Sequence, residues 1–329
     1  MAFSNTFDTT NTGSAVSNRE ELLDVLSILA PEETPMLSLA NKSKANATFV
    51  EWTVDSLADP VTTGVAEGAD VTTFTDKFAS RARLGNYVQK FRRDYMVSDL
   101  QNAVDSVGPA KIAQAESKAT REIKRDIEAT ICSANDRSAE NGGGTSYGMR
   151  GFGKWVQSAS TGITDIPAAY RTPSTSEHTT GAFTETVLNN LITSIYRVNG
   201  GSNSMTLVAD TALRRVISDF ARTSSSADYT VRNVNYVGGS GVIKLSVNLY
   251  ESDHGMVSIV NMNPACAPDT SAKDTGYLVN PEFYGVSELI PLGSTRLPNF
   301  GGGERGFVDW TGTLLVKHPG AHGKITILS

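Results

Sequence analysis

Residues 48–78, TFVEWTVDSLADPVTTGVAEGADVTTFTDKF, constrain the fold more than any other stretch of the chain. The two ends carry the β-branched and aromatic residues of strands. The middle has turn residues at Pro60, Gly64 and Gly68 and no apolar periodicity. Because an isolated two-stranded ribbon is at best marginally stable in water, such a hairpin needs support. The sequence therefore predicts an extended hairpin whose aromatic side chains require a second surface for burial.

The distribution of charge indicates what that surface is. Residues 1–80 contain 4 basic and 12 acidic side chains, residues 81–140 contain 11 and 9, and the remainder contain 14 and 14. No basic face typical of a sequence-reading nucleic-acid-binding protein dominates. An acidic segment followed by a basic one favours contact between one part of a chain and another, within the same subunit or in a neighbouring one. The ribbon side chains that would meet such a surface are Phe49, Glu51, Trp52, Asp55, Glu67, Asp70, Phe74, Phe78, Arg81, Arg83, Tyr87, Lys90, Arg92 and Arg93.

A long helix is predicted over residues 108–141. Pro109 suits its first turn, and the glycines after residue 141 suit its end. One apolar stripe repeats at threes and fours: Ile112, Ala115, Ala119, Ile123, Ile127, Ile131 and Ala134. At 1.5 Å per residue the helix would span about 50 Å, which is the length of a strut rather than of an ordinary domain helix.

After residue 184, helical and extended patterns alternate. The predicted helices cover residues 18–30, 184–199 and 211–222, the last capped by Asp210 or Thr211. The predicted strands cover residues 204–210, 241–252, 255–262, 276–291, 304–319 and 323–328, with a loop at 269–276. This order predicts an α+β protein.

Composition excludes several classes of protein. A chain of 329 residues that is 39% hydrophobic is long enough for one large or two ordinary domains. No apolar run approaches the ~20 residues of a membrane span, and the first residues do not resemble a signal peptide. Cys132 and Cys266 are the only cysteines, which favours a reducing compartment.

Catalytic and cofactor motifs are matched only in part. GMRGFGKW (residues 148–155) has the spacing of a phosphate-binding loop, but Trp155 occupies the position of the required Ser or Thr, so a packed loop anchored by Phe152 and Trp155 is expected. GGGERG (301–306) precedes a strand instead of opening a helix. Pro319 and Gly320 separate His318 from His322 and prevent a helical zinc site. We predict no catalytic residue, metal or cofactor.

Several phrases resemble the major capsid proteins of tailed bacteriophages with the Hong Kong 97-type fold. The most specific is LSILAPEETPMLSLANKSKANATFVEWTVDSLADP at residues 26–60. VAEGADV at 65–71, YGMRGFGKWV at 147–156 and HPGAHGKITIL at 318–328 are also similar. The order of the elements agrees with this family along nearly the whole chain.

The resemblance implies a division of the chain. It comprises an N-terminal arm (1–45), an extended E-loop hairpin (46–98), a P-domain (99–183) with a spine helix (108–141), an A-domain (184–275), and C-terminal strands (276–329) that return to the P-domain. The E-loop would lie across the adjacent subunit. Because no long coiled-coil leader precedes the arm, a separate scaffolding protein is expected.

The resemblance also implies a structural, non-enzymatic function. Pentamers and hexamers of the chain would form an icosahedral head around double-stranded DNA, which the inner face would contact non-specifically. Portal and scaffolding or decoration proteins would be partners, and the virion, assembled in the host cytoplasm, would be the location. Two alternatives remain open: a secreted or surface β-rich adhesive protein, and an enzyme with an unrecognised site.

Replacing Arg92 and Arg93 with Glu should impair assembly and leave the isolated fold intact, because both are predicted to lie on the basic limb of the hairpin. Deleting the E-loop should leave soluble monomers or misassembled material. Electron microscopy of the purified variants measures both effects, and shells of normal size from the Arg92→Glu/Arg93→Glu protein would contradict the first.

Overall fold

A computed structural model describes residues 33–104, 111–158, 163, 165–179, 181–199, 204–220, 247–267 and 273–328. The helices are α1 (Pro35–Leu39), α2 (Asp99–Ala103), α3 (Lys111–Cys132), α4 (Phe152–Trp155), α5 (Glu185–Asn199) and α6 (Thr211–Phe220). The strands are β1 (Asn41–Lys44), β2 (Phe49–Val54), β3 (Ala82–Tyr87), β4 (Gln89–Val97), β5 (Glu177–His178), β6 (Ser204–Ala209), β7 (Leu249–Ser252), β8 (Gly255–Asn261), β9 (Lys273–Val279), β10 (Tyr284–Leu297), β11 (Glu304–Val316) and β12 (Gly323–Leu328). The helix predicted at 18–30 lies outside the described residues.

The described strands form three sheets. A four-stranded sheet has the order β1-β10-β11-β4, a six-stranded sheet has the order β5-β12-β9-β6-β8-β7, and β2 pairs with β3 alone. The helices and sheets confirm the predicted α+β class. The sequence division placed residues 276–329 in one unit, whereas strand pairing puts β10 and β11 in the four-stranded sheet and β12 in the six-stranded sheet.

The main core lies between α3 and the four-stranded sheet. The predicted stripe of α3 is buried there, and Ile123, Ile127 and Ile131 are each at most 2% exposed. They belong to the same buried cluster as Tyr95 of β4 and Trp310 of β11. Helical periodicity therefore predicted both the helix and its buried face.

The predicted end of the long helix was wrong. The helix ends at Cys132 instead of residue 141, so its 22 residues span about 33 Å. The apolar stripe stops there, since Ala134 is exposed. The Ser133 hydroxyl donates to the Thr130 carbonyl oxygen at 2.7 Å, and the Asp136 carboxylate accepts from the Arg137 amide at 2.7 Å. Such local side-chain bonds compete with helical ones and favour an irregular chain.

A second core lies between the six-stranded sheet and two helices, α5 and α6. Leu191, Leu213 and Leu207 are buried in it.

The loop predicted at 269–276 was wrong, because β9 begins at Lys273 and pairs with β6 and β12. Gly276 permits this packing: a Cβ at that position would lie 2.2 Å from the Leu213 side chain.

The prediction that the alternating segment after residue 78 forms one limb of the ribbon was also wrong. β2 and β3 pair in antiparallel register from Phe49↔Tyr87 to Val54↔Ala82. β4, which follows directly, pairs with β11 in the four-stranded sheet. The alternating pattern after residue 78 therefore comprises two strands of different sheets, which a period of two cannot distinguish.

Glu128 is a buried acid on the apolar face of α3 and was not anticipated. Its carboxylate oxygens accept hydrogen bonds from the Met36 amide at 2.9 Å and the Leu37 amide at 2.8 Å, in the first turn of α1. The Tyr284 hydroxyl donates to the Met36 carbonyl oxygen at 3.0 Å. These contacts hold α1 against the main core. Burial raises the pKa of Glu128 to about 7, although the two amide bonds oppose this.

The free energy of unfolding should depend on pH through Glu128. Because its pKa in the folded chain lies above its ordinary value of 4.5, the contribution is complete below pH 4.5 and is lost as pH rises through about 7. The loss should be on the order of 3 kcal/mol. Urea unfolding of the dissociated chain across this range measures it.

The variant Glu128→Gln should flatten that part of the pH profile, since the amide does not titrate. Glu122→Gln provides a matched control, because Glu122 lies on the same helix with its side chain 37% exposed. An unchanged slope in Glu128→Gln would contradict the prediction.

Candidate assembly interface

Strand pairing between β2 and β3 stops at Val54↔Ala82, and residues 55–81 form a long connection that we term the exposed loop. Every residue in it is exposed. Its large apolar side chains are 61–98% exposed: Leu57, Val61, Val65, Val71, Phe74 and Phe78. Soluble monomers rarely expose so large a set in one segment, so the loop has the composition of a contact surface.

Side chains close the exposed loop where it leaves the hairpin. Arg81 Nε donates to Asp55 Oδ2 at 2.8 Å, and the Ser80 hydroxyl donates to Asp55 Oδ1 at 2.6 Å. The buried Tyr170 hydroxyl donates to the Ser80 carbonyl oxygen at 2.5 Å. The hydrogen bonds from Ser80 and Arg81 lower the pKa of Asp55. We call Asp55, Ser80, Arg81 and Tyr170 the neck.

The aromatic residues at the base of the hairpin pack within their own chain. The Trp52 indole lies 5.5 Å from the Trp155 ring and donates to the Lys317 carbonyl oxygen at 3.2 Å. The Phe49 and Tyr87 rings lie 4.5 Å apart. The expectation that these three rings lack an internal partner was therefore wrong. Trp155 of α4 contacts Trp52, the Tyr147 ring lies 5.7 Å from Tyr87, and the Arg137 guanidinium lies 5.5 Å from the Phe49 ring centre.

The predicted contact residues thus separate into two groups. Phe74 and Phe78 stay 90% and 61% exposed, in contrast to the half-buried rings at the base. Among the charged members, Glu67 and Asp70 lie exposed in the loop, and Glu51 and Arg83 lie exposed on the hairpin. Two aromatic and two acidic residues of the predicted set therefore stay exposed in the loop. Its role in an interface stays a prediction.

The basic residues of β4 differ from one another. Arg93 makes two bonds to the Asp126 carboxylate of α3, at 2.6 and 2.8 Å. Lys90 pairs with Asp309 at 3.4 Å. Arg92 is exposed on the other side of the strand. Arg93 therefore connects the sheet to the helix, a role that its position in a basic run did not reveal. Because Glu at position 93 would face Asp126, only the Arg92→Glu part of the double substitution leaves the contacts of the isolated fold intact.

A charge cluster centred on the buried Arg150 fixes the base of the hairpin. The Arg150 side chain is 3% exposed and pairs with Asp136 at 2.6 Å and with Asp165 at 2.7 Å. Burial opposes ionisation of Asp165, but its bonds and charge interactions with Arg150 lower its pKa. The Arg150 amide donates to Asn86 of β3 at 2.8 Å. Phe152 and Trp155 are buried, as predicted for the GMRGFGKW stretch. Through Arg150 the same stretch also holds the hairpin, which was not predicted.

The remaining reactive side chains are deeply placed. Burial raises the pKa of both thiols, Cys132 and Cys266, which disfavours the nucleophilic thiolate. His322 is fully buried, and its Nδ1 accepts from the Asn280 amide at 3.1 Å. The described ranges contain no cluster of metal-ligating side chains. They also contain no helix with the length and hydropathy that a membrane crossing requires.

Comparison with known proteins decides the family. The model of the SU10 major capsid protein family matches residues 3–329. The chain belongs to the SU10 major capsid protein family. SU10 major capsid proteins are structural components of the bacteriophage virion, and their class is not an enzyme class. The match favours the capsid hypothesis over the adhesive and enzymatic alternatives.

A curated relative agrees with this assignment. The major capsid protein of Escherichia phage Phieco32 is 30% identical over 121 residues, which are 34% of this chain and 32% of that protein. The match therefore spans about a third of the relative's length.

Solved structures show that this SU10 family member has the fold of phage capsids. The capsid structure of cyanophage P-SCSP1u is similar over 100% of this chain and 99% of that one, with 13% identity and a TM-score of 0.63. A chain from Gordonia phage Cozz is similar over 96% and 93%, with 12% identity and a TM-score of 0.59. The capsid of a native GTA particle is similar over 98% and 99%, with 11% identity and a TM-score of 0.56. The predicted Hong Kong 97-type fold is confirmed.

In this SU10 major capsid protein, replacing Arg150 with Met should lower the free energy of unfolding by about 2 kcal/mol, because the charge-assisted hydrogen bonds to Asp136 and Asp165 are lost. Urea unfolding of the dissociated chain measures the loss. Asp136→Asn should cost about 1 kcal/mol or less, since Asp136 is 52% exposed. Equal effects in the two variants would show that the buried cluster does not hold the hairpin.

Proposed function

We propose that this protein assembles into pentamers and hexamers that close into an icosahedral head enclosing double-stranded DNA. Membership of the SU10 major capsid protein family supports a shell built from many copies. The fold supports it too, because phage capsid chains match nearly the full length. The observation that carries the proposal is the exposed loop, which presents six large apolar side chains to solvent.

Burial of the loop supplies a driving force for association. Apolar surface removed from water stabilises a contact by roughly 25 cal/mol per Å². The isolated chain leaves this stabilisation unrealised, since Leu57 and Phe74 are 98% and 90% exposed. An adjacent subunit that covers the loop would complete its burial. Repeated around a ring, one loop on each neighbour closes by rotational symmetry.

The proposal includes a division into capsid domains, which the sheets support. In this proposal the exposed loop and the hairpin form the E-loop, α3 is the spine helix, and α3 with the four-stranded sheet forms the P-domain. The six-stranded sheet with α5 and α6 forms the A-domain. The segment before α1 is the N-terminal arm, and Glu128 fixes the point where that arm joins the core.

Further partners follow from the same role. A closed head requires a portal for DNA entry and a scaffolding or decoration protein to guide its size. Contact with packaged DNA is expected to be non-specific and sensitive to salt, because it depends on charge alone. Because the protein would function as part of the assembled head, we expect it in the virion, after assembly in the host cytoplasm.

Purified protein should form closed shells visible by negative-stain electron microscopy. Replacing Val65, Val71 and Phe74 with Ser should abolish shells and leave a folded monomer, because these exposed side chains contribute to contacts between subunits and little to the isolated fold. Circular dichroism and sedimentation establish that the monomer is folded.

The matched control replaces Thr62, Thr72 and Thr73, which lie in the same loop, with Ser. This variant changes as many positions while removing no large apolar side chain, and it should assemble normally. Shells of ordinary size from the Val65/Val71/Phe74 variant would contradict the proposal.

A further inference from the structure

A short loop between α3 and α4 contains an asparagine that is directly followed by a glycine. Ser138 and Gly148 form an isolated antiparallel bridge, and we call residues 138–148 the glycine loop. Asn141 and Gly142 lie exposed at its turn. Asn-Gly occurs twice in the sequence, and only this pair lies wholly within the described residues. The proposed capsid role assigns no function to it.

The glycine loop holds the side-chain amide of Asn141 as an electrophile. Its Oδ1 accepts hydrogen bonds from two backbone amides, those of Gly143 at 3.1 Å and Thr145 at 3.2 Å. When a nucleophile adds to Cγ, negative charge develops on this oxygen. Backbone N–H donors that already point at such an oxygen stabilise the tetrahedral intermediate, as in an oxyanion hole. The loop therefore activates Cγ of Asn141 toward attack.

A nucleophile that can reach this Cγ is the backbone nitrogen of Gly142, the next residue in the chain. Its attack closes a five-membered ring. A side chain on the attacking residue hinders this approach, and glycine has none. No atom lies within 4 Å of the position that a Cβ of Gly142 would occupy, so neighbouring parts of the fold leave room for the movement.

We propose that Asn141 is a site of spontaneous, intramolecular deamidation. The Gly142 nitrogen forms a bond to Asn141 Cγ and gives up its proton. The bond between Cγ and Nδ2 breaks, and Nδ2 leaves as ammonia with that proton. Water then opens the cyclic imide: addition at Cγ gives aspartate, and addition at the main-chain carbonyl carbon gives isoaspartate. Water is the only co-reactant.

Both products change the glycine loop. A carboxylate replaces a neutral amide, which adds one negative charge to a chain whose formal net charge is −6. Isoaspartate also lengthens the main chain by one atom. This alters the spacing across which the Asn141 amide donates to the Thr145 carbonyl oxygen, at 3.2 Å. The modification therefore acts on the charge and on the main-chain path of an exposed surface loop.

A second asparagine isolates the contribution of Gly142. Asn299 Oδ1 accepts from the backbone amides of Gly301 at 2.8 Å and Gly303 at 3.2 Å, two and four positions further along, as at Asn141. The residue that follows Asn299 is Phe300, whose side chain hinders attack by its own nitrogen. Because the donors match and the attacking residue differs, Asn299 should stay intact where Asn141 reacts.

Peptide mapping of the full-length protein tests the proposal. The folded protein, and the same protein unfolded in urea, are incubated at mildly alkaline pH and digested with trypsin at intervals. Trypsin releases residues 138–150 and 297–305, each with one side-chain amide. Mass spectrometry measures conversion, and chromatography separates aspartate from isoaspartate. Conversion found in unincubated protein arises during digestion and is subtracted.

Asn141 should convert in the folded protein at least as fast as in urea, because the folded loop supplies the two donors, and Asn299 should remain unconverted. Conversion of Asn141 only in urea would overturn the proposal, since the fold would then protect the site. Equal conversion of Asn299 in the folded protein would overturn it too. The measurement does not require shells, so its outcome is separate from that of the proposed function.

Three variants test which atoms react. Gly142→Ala should slow conversion of Asn141 roughly tenfold and leave the fold unchanged, because the added methyl group meets no other atom but hinders the attack. Gly143→Ala is the matched control and should react as the parent, since its Cβ would lie at an ordinary 3.4 Å from Asn141 Oδ1. Phe300→Gly should make Asn299 convert. A parental rate in Gly142→Ala, or an intact Asn299 in Phe300→Gly, would contradict the proposal.

Discussion

The packing of α3 against the four-stranded sheet is the interaction on which the other contacts depend. Ile123, Ile127 and Ile131 form its apolar centre. Other units attach at defined points along the same helix. Glu128 receives the amides of α1, and the Cys132 carbonyl oxygen at the helix end accepts from the Tyr277 hydroxyl of the six-stranded sheet at 2.6 Å. A single 22-residue helix therefore sets the positions of α1 and both larger sheets.

Much of this arrangement could be predicted from local pattern. The 3.6-residue period identified the buried face of α3, and alternation identified the strands around it. The helix propensities of residues 133–141 did not reveal where the helix ends. Ser, Asn and Asp disfavour a helix only weakly, and they end this one through specific side-chain hydrogen bonds that the sequence does not show. A period of two could not separate β3 from β4, since both alternate and only tertiary pairing assigns them to different sheets.

Charge contacts between distant segments explain the remaining differences between expectation and structure. In a sequence, Glu128, Arg93 and Arg150 look like ordinary surface residues. In the fold they make contacts between segments separated by 92, 33 and 15 positions, respectively, which no local pattern encodes. The exposed loop was easier to foresee, because the lack of any apolar periodicity is itself local. Sequence therefore predicts the exposed loop better than it predicts the packing of the rings at its base or the charges that make long-range contacts.

The neck has a consequence for how this protein can change over evolutionary time. Because Asp55, Ser80 and Arg81 join the two ends of the loop, insertions and substitutions between them do not alter the hairpin register below. Doubling the length of a flexible segment between fixed ends costs only about 0.6 kcal/mol. New lineages can therefore acquire different neighbour contacts while inheriting one unchanged scaffold.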